Sequence, residues 1–320
     1  MNMKKCRNFN SRLVLALWVS GILLNVSACK TSSKNLERVE KLEAVSKISE
    51  TNPSLKNKIL FEKIKMADWK VPREGLIDLD DPKAKQAGLK EGLEPIQIYL
   101  YHIQHPKFGH FFIDSGISEG FKNPPDQKPI TGVVASAMNF KDLVIAKTTA
   151  EVLSKLKEKP AGVFLTHMHI DHILGVAELP KDTKVYIGKG ESTWRGFQNI
   201  FVQGTTDKLL GDQIQLEEIQ LNTDSKKEEL TAIDFFGDSS LIIFSVPGHT
   251  TGSLAFYVQS SSGDHLVLGD TCHTKWAWDN NVVSGGYTLD KSLQRRSMNA
   301  LKKFAESRPK LKIHPGHQSL

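Results

Sequence analysis

The stretch Thr166-His167-Met168-His169-Ile170-Asp171-His172 constrains this chain more than any other, because four metal-binding side chains fall within six residues. It follows the apolar run Gly162-Val163-Phe164-Leu165, which reads as a short buried strand. In an extended chain alternate side chains share a face, so His167, His169 and Asp171 point to one side. His172 joins them only if the backbone turns. The spacing of Ile173, Val176 and Leu179 predicts a helix starting there. Imidazole and carboxylate donors at this density suit Zn2+, Fe or Mn better than Ca2+ or Mg2+. Four such donors in a chain with eleven histidines are read as a metal site rather than a polar loop.

Residues 1–28 read as a leader. Lys4, Lys5, Arg7 and Arg12 form a basic segment, and the apolar stretch Leu13 to Val26 is too short to span a bilayer comfortably. Val26-Ser27-Ala28-Cys29 resembles a bacterial lipobox, with Cys29 lipidated as the new N-terminus. An ordinary secretory signal cleaved near Ala28 is the alternative, and a retained membrane anchor the third reading. The expected product is an exported lipoprotein held in the cell envelope, at the outer membrane where two membranes exist, since Lys30 is no retention Asp. Because the leader carries four positive charges and no acid, its removal takes the net charge from +6 to +2. That balance gives no case for a nucleic-acid partner. Cys272 would then be the one remaining thiol, so no disulfide framework is expected.

Residues 29–56 are expected to form a tether and helical linker. Lys30 to Lys34 are small and polar, and Leu36, Val39, Leu42, Val45 and Ile48 recur at helical spacing before Asn52-Pro53. Residues 57–320 are assigned to one catalytic domain. Strands are predicted at Pro95 to Tyr101, Phe111 to Asp114, Lys184 to Ile187, Leu241 to Val246, Leu254 to Val258 and Leu266 to Asp270, with a last one ending at His314. Thr148 to Lys159 reads as an amphipathic helix, and the Pro-rich residues 122–132 as a loop that could rim a substrate site. Three stations place a potential ligand after an apolar strand: Pro247-Gly248-His249, Gly269-Asp270 and Pro315-Gly316-His317. His102, His105 and His110 are read as satisfied or exposed strand histidines, Cys272 as a small buried residue, and His273 as a supporting or surface group.

Taken in order, Asp114-Ser115-Gly116, His167-x-His169-x-Asp171-His172, His249, Asp270 and His317 resemble the metallo-β-lactamase superfamily over roughly residues 95–320. The resemblance implies an α/β fold of two face-to-face sheets with helices outside, a four-layer αββα sandwich. It also implies two divalent metal ions, Zn2+ being the first expectation. His167, His169 and His249 would hold one ion, Asp171, His172 and His317 the other, and Asp270 would bridge them. Such a pair makes a bridging water a hydroxide nucleophile near neutral pH, and Asp171 would accept its proton, as in similar enzymes. Residues 233–238 with the turn after Pro247 resemble N-acyl homoserine lactonase-like members. The expected activity is therefore hydrolysis of a lactone or similar small-molecule ester, with thioester or β-lactam cleavage as runner-up and a non-catalytic surface binding protein as the other class. Trp276, Trp278 and Tyr287 are expected either to wall the substrate pocket or to pack in the core.

Overall fold

The computed structural model describes residues 29–39, 42, 44–45, 48–221 and 230–319. The leader therefore lies outside the described residues, apart from Cys29 at its end. An eight-stranded sheet runs in the order Leu36–Arg38, Gln215–Ile219, Lys184–Gly188, Gly162–Phe164, Gly109–Ile113, Leu93–His105, Leu60–Pro72, Val144–Ile145. A six-stranded sheet runs Lys312–His314, Gly263–Val267, Leu254–Ser260, Leu241–Ser245, Thr231–Asp234, Ala44–Val45.

Strand alternation makes these sheets two-faced. In Leu93–His105, Tyr99, Tyr101 and Ile103 pack in one cluster with Ile243, Phe256 and Val258 of the other sheet. Ile96, Ile98 and Leu100 belong to a second cluster. Phe164 and Phe256 meet across the gap at 5.6 Å between ring centroids, so the sheets face each other. On the outer face of the six-stranded sheet, Phe304 of the helix Lys291–Glu306 covers Phe244 and Tyr257. Val152, Leu209 and Leu210, from two helices, belong to the outer cluster that also holds Ile98 and Leu100. The expected αββα sandwich is the observed fold. Burying sheet on sheet and helix on sheet removes most large apolar side chains from water, which supplies the main drive to fold.

Three local expectations are corrected. The described residues of the stripe Leu36 to Ile48 are not helical. Leu36–Arg38 joins the edge of the first sheet in parallel with Leu216 to Glu218, and Ala44–Val45 joins the second. These described residues of the linker lie on sheet edges, which offer backbone partners that a short isolated helix lacks. Around and after His172 the chain forms two 3-10 turns, Ile170–His172 and Val176–Glu178, instead of an α-helix. Ser115 and Ser118 donate backbone N–H groups to the carbonyls of His172 and Leu174, removing the acceptors a helix needs. The helix begun by the Thr148–Glu151 capping box stops at Leu153, and its last turn tightens into i to i−3 bonds.

Candidate metal centre

The predicted ligands converge at one edge of the sandwich, each on the loop after a strand. After Gly162–Phe164 the chain places His167 and His169, and after Leu241–Ser245 it turns at Gly248 to present His249. Gly248 has φ +134°, and a Cβ there would lie 2.1 Å from the backbone nitrogen of Gln294, so no other residue fits the turn. Asp270 follows Gly263–Val267, and His317 follows Lys312–His314.

Two donor groups result, His167/His169/His249/Asp270 and Asp171/His172/Asp270/His317; within each, the donor atoms lie within 4.8 Å of one another. His249 Nε2 is 2.9 Å from His169 Nδ1 and 3.2 Å from His167 Nε2. Asp270 Oδ2 lies 3.5 Å from His249 Nε2, 3.4 Å from His172 Nε2 and 3.3 Å from His317 Nε2. Asp171 Oδ2 lies 3.3 Å from His317 Nε2. Asp270 is thus common to both groups.

The opposite ring nitrogens are held by protein groups. Asp114, at φ +57°, accepts from His172 Nδ1 at 2.9 Å and from the Thr166 backbone N–H at 2.8 Å. His317 Nδ1 donates to the Gln97 carbonyl at 3.0 Å, and His249 Nδ1 meets Thr288 Oγ1 at 3.2 Å. Such outer partners set the tautomer and aim the free nitrogen inward.

The electrostatics divide the histidines into two kinds. Burial holds His167 and His249 well below the usual imidazole range and takes His169 down to about 4. Burial also opposes the charge on His317, but the Asp270 and Asp171 carboxylates outweigh it and raise His317 to about 10. His172 is raised despite burial, chiefly by Asp114 and Asp171. Burial would raise Asp270, yet His273, His317 and His172 hold it well below the carboxylate range.

The fit to a divalent cation rests on two orphaned atoms. His172 Nε2 and Asp270 Oδ1 are buried without a hydrogen-bond partner, an expensive state in a protein interior unless another ligand occupies it. The nitrogens of His167, His169 and His249 also converge, Nε2 of His249 lying within 3.2 Å of both others, the arrangement of a ligand set. N/O donors of this kind fit Zn2+, Fe or Mn.

Two supporting residues escaped the sequence reading in different degrees. His273 is buried, with Nε2 3.0 Å from Asp270 Oδ2 and Nδ1 against Ser284 Oγ, so it is a neighbour of the centre and not a surface group. Glu191 carries no sequence signal, yet its buried carboxylate accepts from the Met168 and Gly252 backbone N–H groups and from Thr250 Oγ1, all at 2.8 Å. It clasps the loops bearing His167, His169 and His249 together. The strand histidines are satisfied as expected: His102 pairs with His110, and His105 with Asp238. Cys272 is buried, and burial pushes its thiol up to about 12.

A cavity of about 680 Å³ opens over the centre, floored by His169, Asp171, His249, Asp270 and His317. Trp69, Val71, Ile96, Met138, Ile170, Val202 and Leu289 make most of its wall apolar, the size and character of a small-molecule site. Tyr287 lines it, whereas Trp276 and Trp278 pack on the core side. The Pro-rich 122–132 loop is not among its lining residues, and the wall is supplied by Ala137 and Met138 beyond it.

Fold and site together define a two-sheet protein with a clustered His/Asp centre at the strand ends. The family profile described as the metallo-beta-lactamase superfamily matches residues 109–317, and the chain belongs to that superfamily. Among curated relatives, the metallo-hydrolase mfmC of Annulohypoxylon moriforme is 23% identical over 224 residues, covering 64% of this chain and 52% of that protein. The hydroxyacylglutathione hydrolase of Serratia proteamaculans is 30% identical over 129 residues, 39% of each. The chain thus spans about half or less of the length of these relatives. Among solved structures, B. thuringiensis AiiA with N-decanoyl-L-homoserine bound at its active site superposes with a TM-score of 0.58 at 15% identity, covering 80% of this chain and 92% of that one. A probable metal-dependent hydrolase from Staphylococcus aureus gives 0.56 at 15% identity, covering 82% and 90%. At these identities the structural likeness speaks for the fold alone.

Proposed function

We propose that this chain is a binuclear metal-dependent hydrolase acting on a lactone or similar small-molecule ester. The observation that carries the reading is the pair of donor groups sharing Asp270 beneath an apolar-walled cavity. His167, His169, His249 and Asp270 would hold one divalent cation, and Asp171, His172, His317 and Asp270 the other. When bound, such a pair acidifies a coordinated water and polarises the scissile carbonyl. The chain's own residues do the remainder. Asp171, partly open to the cavity, accepts the proton released as the water attacks. The apolar walls hold an acyl chain and exclude bulk water. Tyr287 lines the same cavity, and its phenol O–H, protonated at neutral pH like any tyrosine, is the donor assigned to the leaving oxygen.

The lactone preference is supported by the homoserine-lactone hydrolases among the structural neighbours, including one solved with N-hexanoyl-L-homoserine at its catalytic metal centre. The hydroxyacylglutathione hydrolases among the relatives favour a second reading, thioester cleavage. A purely binding role would not demand that all seven donors remain assembled. The test is the purified full chain, loaded with Zn2+, Mn2+ or Fe2+, assayed for metal stoichiometry and against lactone, thioester, β-lactam and phosphodiester panels. Lactone turnover with two metals per chain is the expected result. Turnover of β-lactams alone would overturn the substrate ranking, and a loaded protein inert to every panel would remove the enzyme reading.

A further inference from the structure

The wall of the cavity nearest the N-terminal end of the described chain has two unlike faces. In the helix Asn199–Leu210 and the turn before it, Gln198, Asn199, Val202 and Thr206 line the cavity. Their neighbours in the chain turn away to solvent: Phe197 is 68% exposed, Phe201 66% and Ile200 41%. Phe197 and Phe201 stack edge to face at 5.7 Å, one turn apart, with no other ring against them among the described residues. This is a built apolar patch and not a scatter of single side chains. Among the described residues, six of the nine strongly exposed large apolar ones, Val133, Phe197, Ile200, Phe201, Tyr287 and Leu289, lie on elements that wall the cavity. Lys208 ties the helix to the Val133 segment by donating to the Pro129 carbonyl at 2.9 Å.

What covers this patch is indicated by the chain that reaches it. Cys29–Lys30 pairs antiparallel with Arg195–Gly196, the two residues before Phe197, and Asn199 Nδ2 donates to the Cys29 carbonyl at 3.1 Å. The apolar stretch Leu13 to Val26 arrives within three residues of Cys29. A lipid on Cys29 and a retained apolar anchor alike bring a bilayer to this point, with no slack between anchor and domain. Lys30, exposed on the strand pair, suits an anionic surface.

We propose that Phe197, Ile200 and Phe201 seat in a phospholipid bilayer, so that the cavity opens onto the membrane interface and its substrate is an amphiphile with an acyl tail. The surface part rests on a membrane anchor ending at Cys29. The substrate part deepens the ester-hydrolase reading and falls with it, whereas the surface part does not.

The test uses the full chain in vesicles of phosphatidylethanolamine and phosphatidylglycerol, carrying the photo-cross-linker substitution Phe201→benzoylphenylalanine. The same substitution at Leu60 serves as control. Leu60 is 51% exposed but lies at the start of its strand, opposite Gln104 and away from the cavity-lining Trp69 and Val71. Phospholipid adducts at position 201 are expected several-fold above those at position 60, and to fall towards the control when Phe197→Ser and Ile200→Ser are added. Equal lipid adducts at both positions, or an adduct to a second copy of the chain, would overturn the proposal. Mass analysis of the N-terminal peptide reads lipidation separately, so a chain anchored without lipid that still labels at 201 sinks the lipobox and upholds the surface.

Discussion

Replacing Asp114 with Asn perturbs the centre without removing any proposed ligand. Asp114 accepts from His172 Nδ1 at 2.9 Å, from Thr166 N–H at 2.8 Å and from Thr166 Oγ1 at 3.0 Å, all buried. Asn has the same shape but one acceptor oxygen and an NH2 group. If that oxygen keeps Thr166, the amide hydrogens face His172 Nδ1–H, donor against donor. The loss is then one charge-assisted hydrogen bond, about 1.5–3 kcal/mol. This corresponds to roughly 10- to 100-fold in metal affinity, the range known for such supporting partners. The effect should fall on the group that contains His172. The three-histidine group reaches Asp114 only through Thr166 Oγ1, which lies 3.2 Å from His167 Nδ1. Titrating apo protein with Zn2+ against a competing chelator resolves two affinities in the wild type. In Asp114→Asn one should weaken by that factor while the other moves by less than about threefold, with the far-ultraviolet spectrum unchanged. Equal weakening of both sites, or of neither, would refute the claim that Asp114 acts by aiming His172.

Four further outcomes are expected. Gly316→Ala puts a Cβ 2.1 Å from Asp270 Oδ1; displacing the shared carboxylate should lower bound metal from two per chain towards one or none, read by elemental analysis. Tyr287→Phe should leave metal content intact and reduce kcat by roughly 10²-fold on the best ester, and an unchanged kcat would remove Tyr287 as donor. In metal-free protein His317 is raised from 6.5 to about 10, so its charge stabilises the fold fully below pH 6.5, and that contribution is lost as pH climbs through 10. The Tm difference between wild type and His317→Gln in chelator should therefore shrink as pH rises; a difference that grows would contradict the ion pairing with Asp270 and Asp171. Cys272, buried and with its thiol near 12, should resist alkylation in native protein and react after denaturation, as mass shifts will tell.

The donor set was legible in the sequence because each member follows an apolar strand, and strand alternation is a local property of the chain. His167, His169 and Asp171 announce themselves by period two, and the Pro-Gly turns before His249 and His317 announce theirs by turn chemistry. What stayed hidden depends on partners far along the chain. Helical spacing at Leu36 to Ile48 gave way to sheet edges supplied by Gln215–Ile219 and Thr231–Asp234. The chain after His172 does not coil into an α-helix because Ser115 takes the His172 carbonyl and Ser118 that of Leu174. Glu191 is an unremarkable acid until the fold presses Met168 and Gly252 against it.

The Gln97–His317 exchange clips the last turn of the site onto the strand Leu93–His105. Gln97 N–H donates to the His317 carbonyl at 2.9 Å, and His317 Nδ1 returns the bond to the Gln97 carbonyl, joining positions 220 apart. Without the Pro315–His317 turn in place, the three-histidine group keeps all its members while the other is one arm short. Metal occupancy of that second group would then report whether the turn has docked.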